Sequence, residues 1–204
     1  MRTKSAEYEE NRLNEILNAC DALYAQKGFH DITLKDISEK TSFSRPSIYN
    51  YFQTKEEIFL GLLLRELKAW ISSLKEINFS EKKLAKEELA KEIARTLSKR
   101  TTFLKILAMN IYEIEENSRL ERLAQYKATY KDAFLVFSDL IHKNAPCTKK
   151  EAELVTRLFF PFLSGVYPYA FPTQKQRDAM AAAKFEYKAP GVETLAKEFL
   201  LRVL

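Results

Sequence analysis

Leu13, Ile16, Leu17, Cys20, Leu23 and Tyr24 recur at steps of three and four residues, the spacing that lines one face of an α-helix. A first amphipathic helix is therefore predicted over 9–27, with Gly28 as a left-handed C-cap. Thr33 precedes Leu34-Lys35-Asp36-Ile37, which reads as an N-cap with an acid at the third helical position. This second helix is short and is expected to end near 40. Ser42-Phe43-Ser44 forms a tight turn. Ser44 caps a third helix starting at Arg45, with Pro46 in the first turn, where its missing N–H costs nothing. Thr54 with Glu57 reads as a capping box opening a long helix over 55–75.

The remainder carries the same helical period. Helices are expected over 82–99, 102–116, 120–143 and 148–169, with a shorter segment at 173–184 and a last helix over 192–204. Pro161 and Pro168 fall inside one of these, so a kink or break is expected there. Only four glycines and six prolines occur in 204 residues, which disfavours a turn-rich β fold and supports an all-α chain.

Apolar residues at 46% and charged residues at 30% are an ordinary globular mix. No apolar run reaches the length of a membrane span, and the first ten residues lack the apolar core of a secretory signal. Cys20 and Cys147 cannot build a disulfide framework and suit a reducing cytoplasm. The net charge of +5 hides an asymmetry: residues 1–60 hold eight basic and ten acidic side chains. Local placement says more than the total. Lys40, Arg45 and Lys55 are the only charges between 40 and 55, a basic window in an acidic segment.

That window lies in the part richest in chemistry. Two short helices joined by a tight turn form a helix-turn-helix, in which the first helix braces across phosphates and the second enters the major groove. Leu34, Ile37, Phe43, Ile48 and Phe52 are spaced to pack the unit together. Arg45, Ser47, Tyr49, Asn50 and Tyr51 are left outward, a set of planar and hydroxyl groups unlike a plain solvated face. Tyrosines also close small helical cores, so packing is the competing reading for Tyr49 and Tyr51.

These residues resemble the TetR family of regulators. The resemblance is carried by Lys27-Gly28-Phe29, by Thr33 before Asp36-Ile37, by Phe43-Ser44-Arg45, and by Ile48-Tyr49-Asn50-Tyr51-Phe52 followed by Lys55-Glu56-Glu57. It implies an N-terminal three-helix helix-turn-helix DNA-binding domain at 1–54, followed by a larger helical regulatory and dimerisation domain at 55–204. It further implies that Thr33, Lys35, Tyr49, Tyr51 and Lys55 meet phosphates, while Ser44 caps the helix from which Arg45, Ser47 and Asn50 reach base edges. Pro46 departs from the small residue that many members carry there. Arg2 and Lys4 form a candidate N-terminal arm.

The same resemblance implies that the last two long helices make a homodimer, through Leu158, Phe162, Val166, Leu195 and Phe199. It also implies an effector cavity, for which Trp70, Asn110, Tyr126, Tyr130, Phe134 and Phe137 are candidates. Asn110 is of interest because a buried amide needs a partner; an aromatic stripe is otherwise ordinary core. The expected partners are double-stranded DNA, a second copy and a small apolar or amphipathic effector, with no membrane, metal or cofactor. Two histidines and no nucleophile, phosphate loop or metal-ligand spacing argue against an enzyme. The expected function is a repressor on a palindromic operator, released by its effector. The alternative keeps the fold but uses the basic stretch at 82–105 and Tyr167-Pro168-Tyr169 to recruit a partner protein.

Overall fold

The computed structural model describes residues 4–79 and 82–204, and their side chains from Glu7 onward. The described residues form helices and connections with no strand. In chain order the helices are α1 (Lys4–Tyr24), a 3-10 turn (Phe29–Asp31), α2 (Leu34–Glu39), α3 (Arg45–Ile48), α4 (Lys55–Asn78), α5 (Lys86–Ser98), α6 (Thr101–Met109), α7 (Ile111–Glu116), α8 (Leu120–Asn144), α9 (Lys149–Ala170), α10 (Gln174–Ala182) and α11 (Val192–Val203). No helix is long and apolar enough to cross a membrane among the described residues.

Contacts divide the chain into two units, one of residues 1–66 with 110–129 and one of 67–109 with 130–204. The units are not contiguous stretches: the first recruits α7 and the start of α8 from the middle of the chain. In the first unit α2 packs against α1 and α3. Its core holds Ile16, Cys20, Tyr24, Phe29, Ile37, Phe43, Ile48, Phe52 and Phe59, all buried, while Leu34 is half-buried. Burial pushes the Cys20 thiol well above its ordinary pKa, so it serves as a small apolar core residue.

Several local expectations change on contact with the structure. Gly28 is not a left-handed cap: its backbone is extended, and it opens the 3-10 turn. The chain leaves α1 earlier, through a turn closed by the Lys27 N–H on the Leu23 carbonyl. The Thr33 capping box forms in full, each side chain bonding the other residue's backbone N–H, and hydrogen bonds from the Thr33 hydroxyl and backbone hold the Asp36 carboxyl down to about 2. At Thr54 only half the expected box exists. Thr54 Oγ1 accepts from the Glu57 N–H at 3.1 Å, but the Glu57 carboxylate turns elsewhere.

Glu57 is buried, and its carboxylate accepts four N–H groups. Oε2 accepts from the Gln53 backbone at 2.8 Å and from Arg119 Nη2 at 2.8 Å. Oε1 accepts from Arg119 Nε at 2.5 Å and from the Arg119 backbone at 3.2 Å. Burial alone would raise this acid; the donors outweigh it and hold the pKa at about 2, against an ordinary 4.5.

The segment expected as one helix over 102–116 is broken at Asn110, whose backbone leaves the helical region (φ −141°, ψ 0°). Its Oδ1 accepts the Tyr24 phenol at 2.8 Å. Asparagine competes for hydrogen bonds that a helix interior does not offer, which suits it to such a junction. The opposite occurs in α9, which runs through Pro161 and Pro168 without ending. The carbonyls that these prolines cannot bond belong to Arg157 and Ser164, both exposed, where water can satisfy them.

In the second unit α6 packs on α9, and α11 packs on α5 and α9. The centre is Trp70, fully buried, with Phe103, Phe137 and Phe160 at ring distances of 6.0, 6.0 and 5.7 Å. Its indole N–H donates to Thr96 Oγ1 at 2.9 Å, so the polar edge is satisfied inside the core.

Because the Glu57 pKa is depressed on folding, its contribution to stability is present above about pH 4.5 and is lost as pH falls towards 2. Chemical denaturation at a series of pH values should show that loss, and Glu57→Gln should flatten the acid limb while lowering neutral-pH stability by about 2–3 kcal/mol. Phe137→Ala, which opens a void beside Trp70, should cost about 3–5 kcal/mol in the same unfolding experiment.

Candidate nucleic-acid interface

Helix α3 is a single turn, so its neighbours must hold it in place. On its N-terminal side Glu15 of α1 accepts from the Ser42 backbone N–H at 2.5 Å and from the Ser42 hydroxyl at 3.1 Å. The guanidinium of Arg12 lies 4.1 Å from the Phe43 ring centre, a cation–π contact that presses α1 on the turn. Neither Arg12 nor Glu15 is singled out by the sequence pattern, because each acts on a partner far along the chain. Ser44 occupies the N-cap position of α3 without a side-chain bond to the backbone; its hydroxyl instead meets that of Ser47 at 2.9 Å.

The residues expected to face DNA are distributed unevenly. Arg45, Tyr49 and Asn50 are exposed, Tyr49 to 45%. Arg45 Nη2 lies 3.3 Å from the Tyr49 hydroxyl, so the two form one polar surface along the short helix. Ser47 is half-buried. Tyr51 is half-buried as well, its ring edge-on to Phe43 at 6.2 Å. Packing and outward display therefore share that side chain. Lys35 is exposed, with a loose pairing to Glu39 at 3.8 Å. Thr33 is exposed, but its hydroxyl is occupied by Asp36. Arg2 and the Lys4 side chain lie outside the described residues.

Lys55 stands apart. Its ammonium donates to the carbonyls of Phe29 at 2.9 Å and Ile32 at 3.2 Å, and sits 4.3 Å from the Phe29 ring centre. In this structure the charge is directed into the 3-10 turn and ties the start of α4 to it.

The residues expected around an effector fall into two groups. Trp70, Phe134 and Phe137 gather around Phe160 in the second unit, with Tyr130 edge-on to the same ring at 5.1 Å. Asn110 and Tyr126 belong to the first unit, where the partner of Asn110 is Tyr24. The second unit also carries a cleft of about 400 Å³ between α4 and α5, lined by Ser73, Glu76, Arg95, Thr96 and Lys99 with Ile77 and Leu84.

The residues expected at a dimer seam also differ in exposure. On α9, Leu154 and Leu158 are exposed to 56% and 50%, while Val166 is buried in the protomer. Phe162 and Phe199 are half-buried and stacked on each other at 4.2 Å, and Leu195 is half-buried on α11. No group of three or more metal-ligating side chains exists among the described residues.

Residues 16–62 match the family described as bacterial regulatory proteins, tetR family. Residues 64–204 match the tetracyclin repressor-like C-terminal domain. The uncharacterized HTH-type transcriptional regulator YfiR of Bacillus subtilis is 39% identical over 57 residues, 28% of each chain. The matched stretches cover only 28–45% of the length of the first curated relatives. The TetR family transcriptional regulator PfmR of Thermus thermophilus superposes with a TM-score of 0.64 at 16% identity, over 93% of this chain and 96% of that one. The regulator FadR of Bacillus subtilis, solved in complex with stearoyl-CoA, gives 0.59 at 17% identity over 93% and 96%. At such identities the two structures speak for a shared fold. With both halves of its length matched, the chain belongs to the TetR family of transcriptional regulators, all-helical proteins with an N-terminal DNA-binding helix-turn-helix.

Proposed function

We infer that the protein is a repressor that binds a palindromic operator as a homodimer and is released by a small apolar or amphipathic effector. Residues 1–54 would grip DNA and 55–204 would sense and dimerise. The observation that carries this reading is the surface of α3 and the turn after it, where Arg45, Tyr49 and Asn50 stand exposed with no acidic side chain between Lys40 and Lys55. Arg45 can bond guanine bidentately and Asn50 adenine. Tyr49 and Tyr51 supply hydroxyls for phosphate, with Lys35 adding an exposed cation from α2. Thr33 and Ser44 offer the N-terminal ends of α2 and α3, and Ser47 a short hydroxyl near the groove. Lys55 acts as a brace for the turn that carries Thr33, since its ammonium is already held by two carbonyls.

One recognition helix reads few base pairs, and pairing two of them roughly 34–36 Å apart supplies the missing specificity. The exposed Leu154 and Leu158 of α9, with Phe162, Leu195 and Phe199, supply an apolar surface suited to a second copy. Val166 supports that surface from within. For the effector, the B. subtilis regulator in complex with stearoyl-CoA favours a long apolar chain over a polar metabolite. The aromatic group of Trp70, Tyr130, Phe134 and Phe137 is the apolar wall that would meet it, and Asn110 and Tyr126 are the candidates that lie in the first unit.

Selection of bound duplexes from a random pool should return a palindrome. On it, Arg45→Ala should relax preference at particular bases by about 1–3 kcal/mol, whereas Tyr49→Phe should weaken binding on every sequence alike. Uniform loss for Arg45→Ala would assign that residue to phosphate instead. Leu158→Lys should shift the protein to monomer in sedimentation and abolish the preference for a palindrome over a half-site; an unchanged dimer would move the seam off α9.

A further inference from the structure

The turn that follows the four-residue recognition helix is held by a distant part of the chain. The Tyr51 carbonyl accepts from Arg122 Nη2, 71 residues away, at 2.9 Å, and the same guanidinium lies 5.6 Å from the Phe52 ring centre. Two residues on, the Gln53 N–H is bonded to Glu57 Oε2, and Glu57 is gripped in turn by the side chain and backbone of Arg119. The Thr54 hydroxyl donates to the Asn117 carbonyl at 3.2 Å. Three of the four residues from Tyr51 to Thr54 are therefore tied to 117–122, directly or through Glu57. The backbone bonds within this stretch, Tyr51 and Phe52 N–H to the Ile48 carbonyl, define a single turn only.

We propose that Arg122, together with Arg119 acting through Glu57, is a positioning residue for DNA recognition. These arginines set the direction of the turn that carries Tyr49, Asn50 and Tyr51, from a segment outside the helix-turn-helix. Arg122 is the sharper member, because its partner is a main-chain carbonyl in the turn that directly follows the reading helix, three residues past Ile48. One of its donors is spent on that carbonyl and the guanidinium lies against the Phe52 ring. This deepens the operator-binding reading above and rests on it.

The test uses the full chain, a duplex selected from random DNA, and three variants. Arg122→Met keeps the apolar stem and removes the donor. A lost hydrogen bond from a charged group predicts about a tenfold loss of affinity. The slope of affinity against salt should not change, whereas loss of a phosphate contact would lower it by about one. Amide exchange at Tyr51, Phe52 and Gln53 should quicken while the amides of α1 keep their protection. Arg122→Lys, which retains one donor, should recover most of both effects, and it carries the test if Arg122→Met does not fold. Arg119→Met should quicken exchange at Gln53 more than at Tyr51. Unchanged affinity with unchanged exchange would overturn the proposal, and so would a slope lowered by about one. If the wild-type chain selects no duplex, the operator-binding reading fails by itself, and the exchange experiment still decides whether the arginines hold the turn.

Discussion

A carboxylate buried without partners would ionise reluctantly and would weaken the fold. Glu57 escapes that fate because four N–H groups converge on its two oxygens, filling the acceptor sites that a carboxylate has. The C-terminal side of the short recognition helix leans on this arrangement. The turn after α3 gains an anchor for the Gln53 N–H. The start of α4 gains a fixed position, and residues 117–122 become part of the same body as the helix-turn-helix. Glu57 could be exchanged for an apolar residue only together with its donors, since those donors would otherwise be left without an acceptor.

How far the residues announced this structure depends on distance along the chain. Helices were legible from periodicity, and so was the capping box at Thr33 with Asp36, because it joins residues three apart. The same three-residue spacing at Thr54 and Glu57 misled in part. A local signature cannot reveal that an arginine 62 positions away will draw the carboxylate from the Thr54 N–H. Asn110 is a related case. Its amide was expected to need a partner, and periodicity could not say that a phenol from α1 supplies one or that the helix ends there. At Pro161 and Pro168 a break does not occur, and the exposure of Arg157 and Ser164 is a tertiary property that periodicity does not carry.

The outward residues of α3 were legible by elimination. Ile48 and Phe52 had to face inward, which left Arg45, Tyr49 and Asn50 outside, and the structure leaves them exposed. Tyr51 and Lys55 were harder, because amphipathic side chains can serve packing and display at once. Tyr51 meets Phe43 with its ring, and Lys55 spends its charge on the carbonyls of Phe29 and Ile32. A lysine at the start of a helix is opposed by the helix dipole, and these carbonyls are the compensation that the fold provides. The pattern could indicate that an anion or dipole must be nearby; it could not say that the dipoles belong to the protein.

The acidic balance of residues 1–60 looked ill-suited to a polyanion, and the structure resolves the conflict by location. Glu15 is turned to the Ser42 N–H, Asp36 to the Thr33 N–H and hydroxyl, and Glu57 to Gln53 and Arg119. These acids substitute for backbone partners that short helices and tight turns lack. A helix-turn-helix built from helices of six and four residues has many such unmet N–H groups, so it needs acids in proportion. What matters for DNA is that these three acids are drawn towards the backbone of the unit while the short helix starting at Arg45 carries none. The net charge of the segment is therefore a poor guide to the reading surface, where Lys40, Arg45 and the polar groups beside them stand exposed.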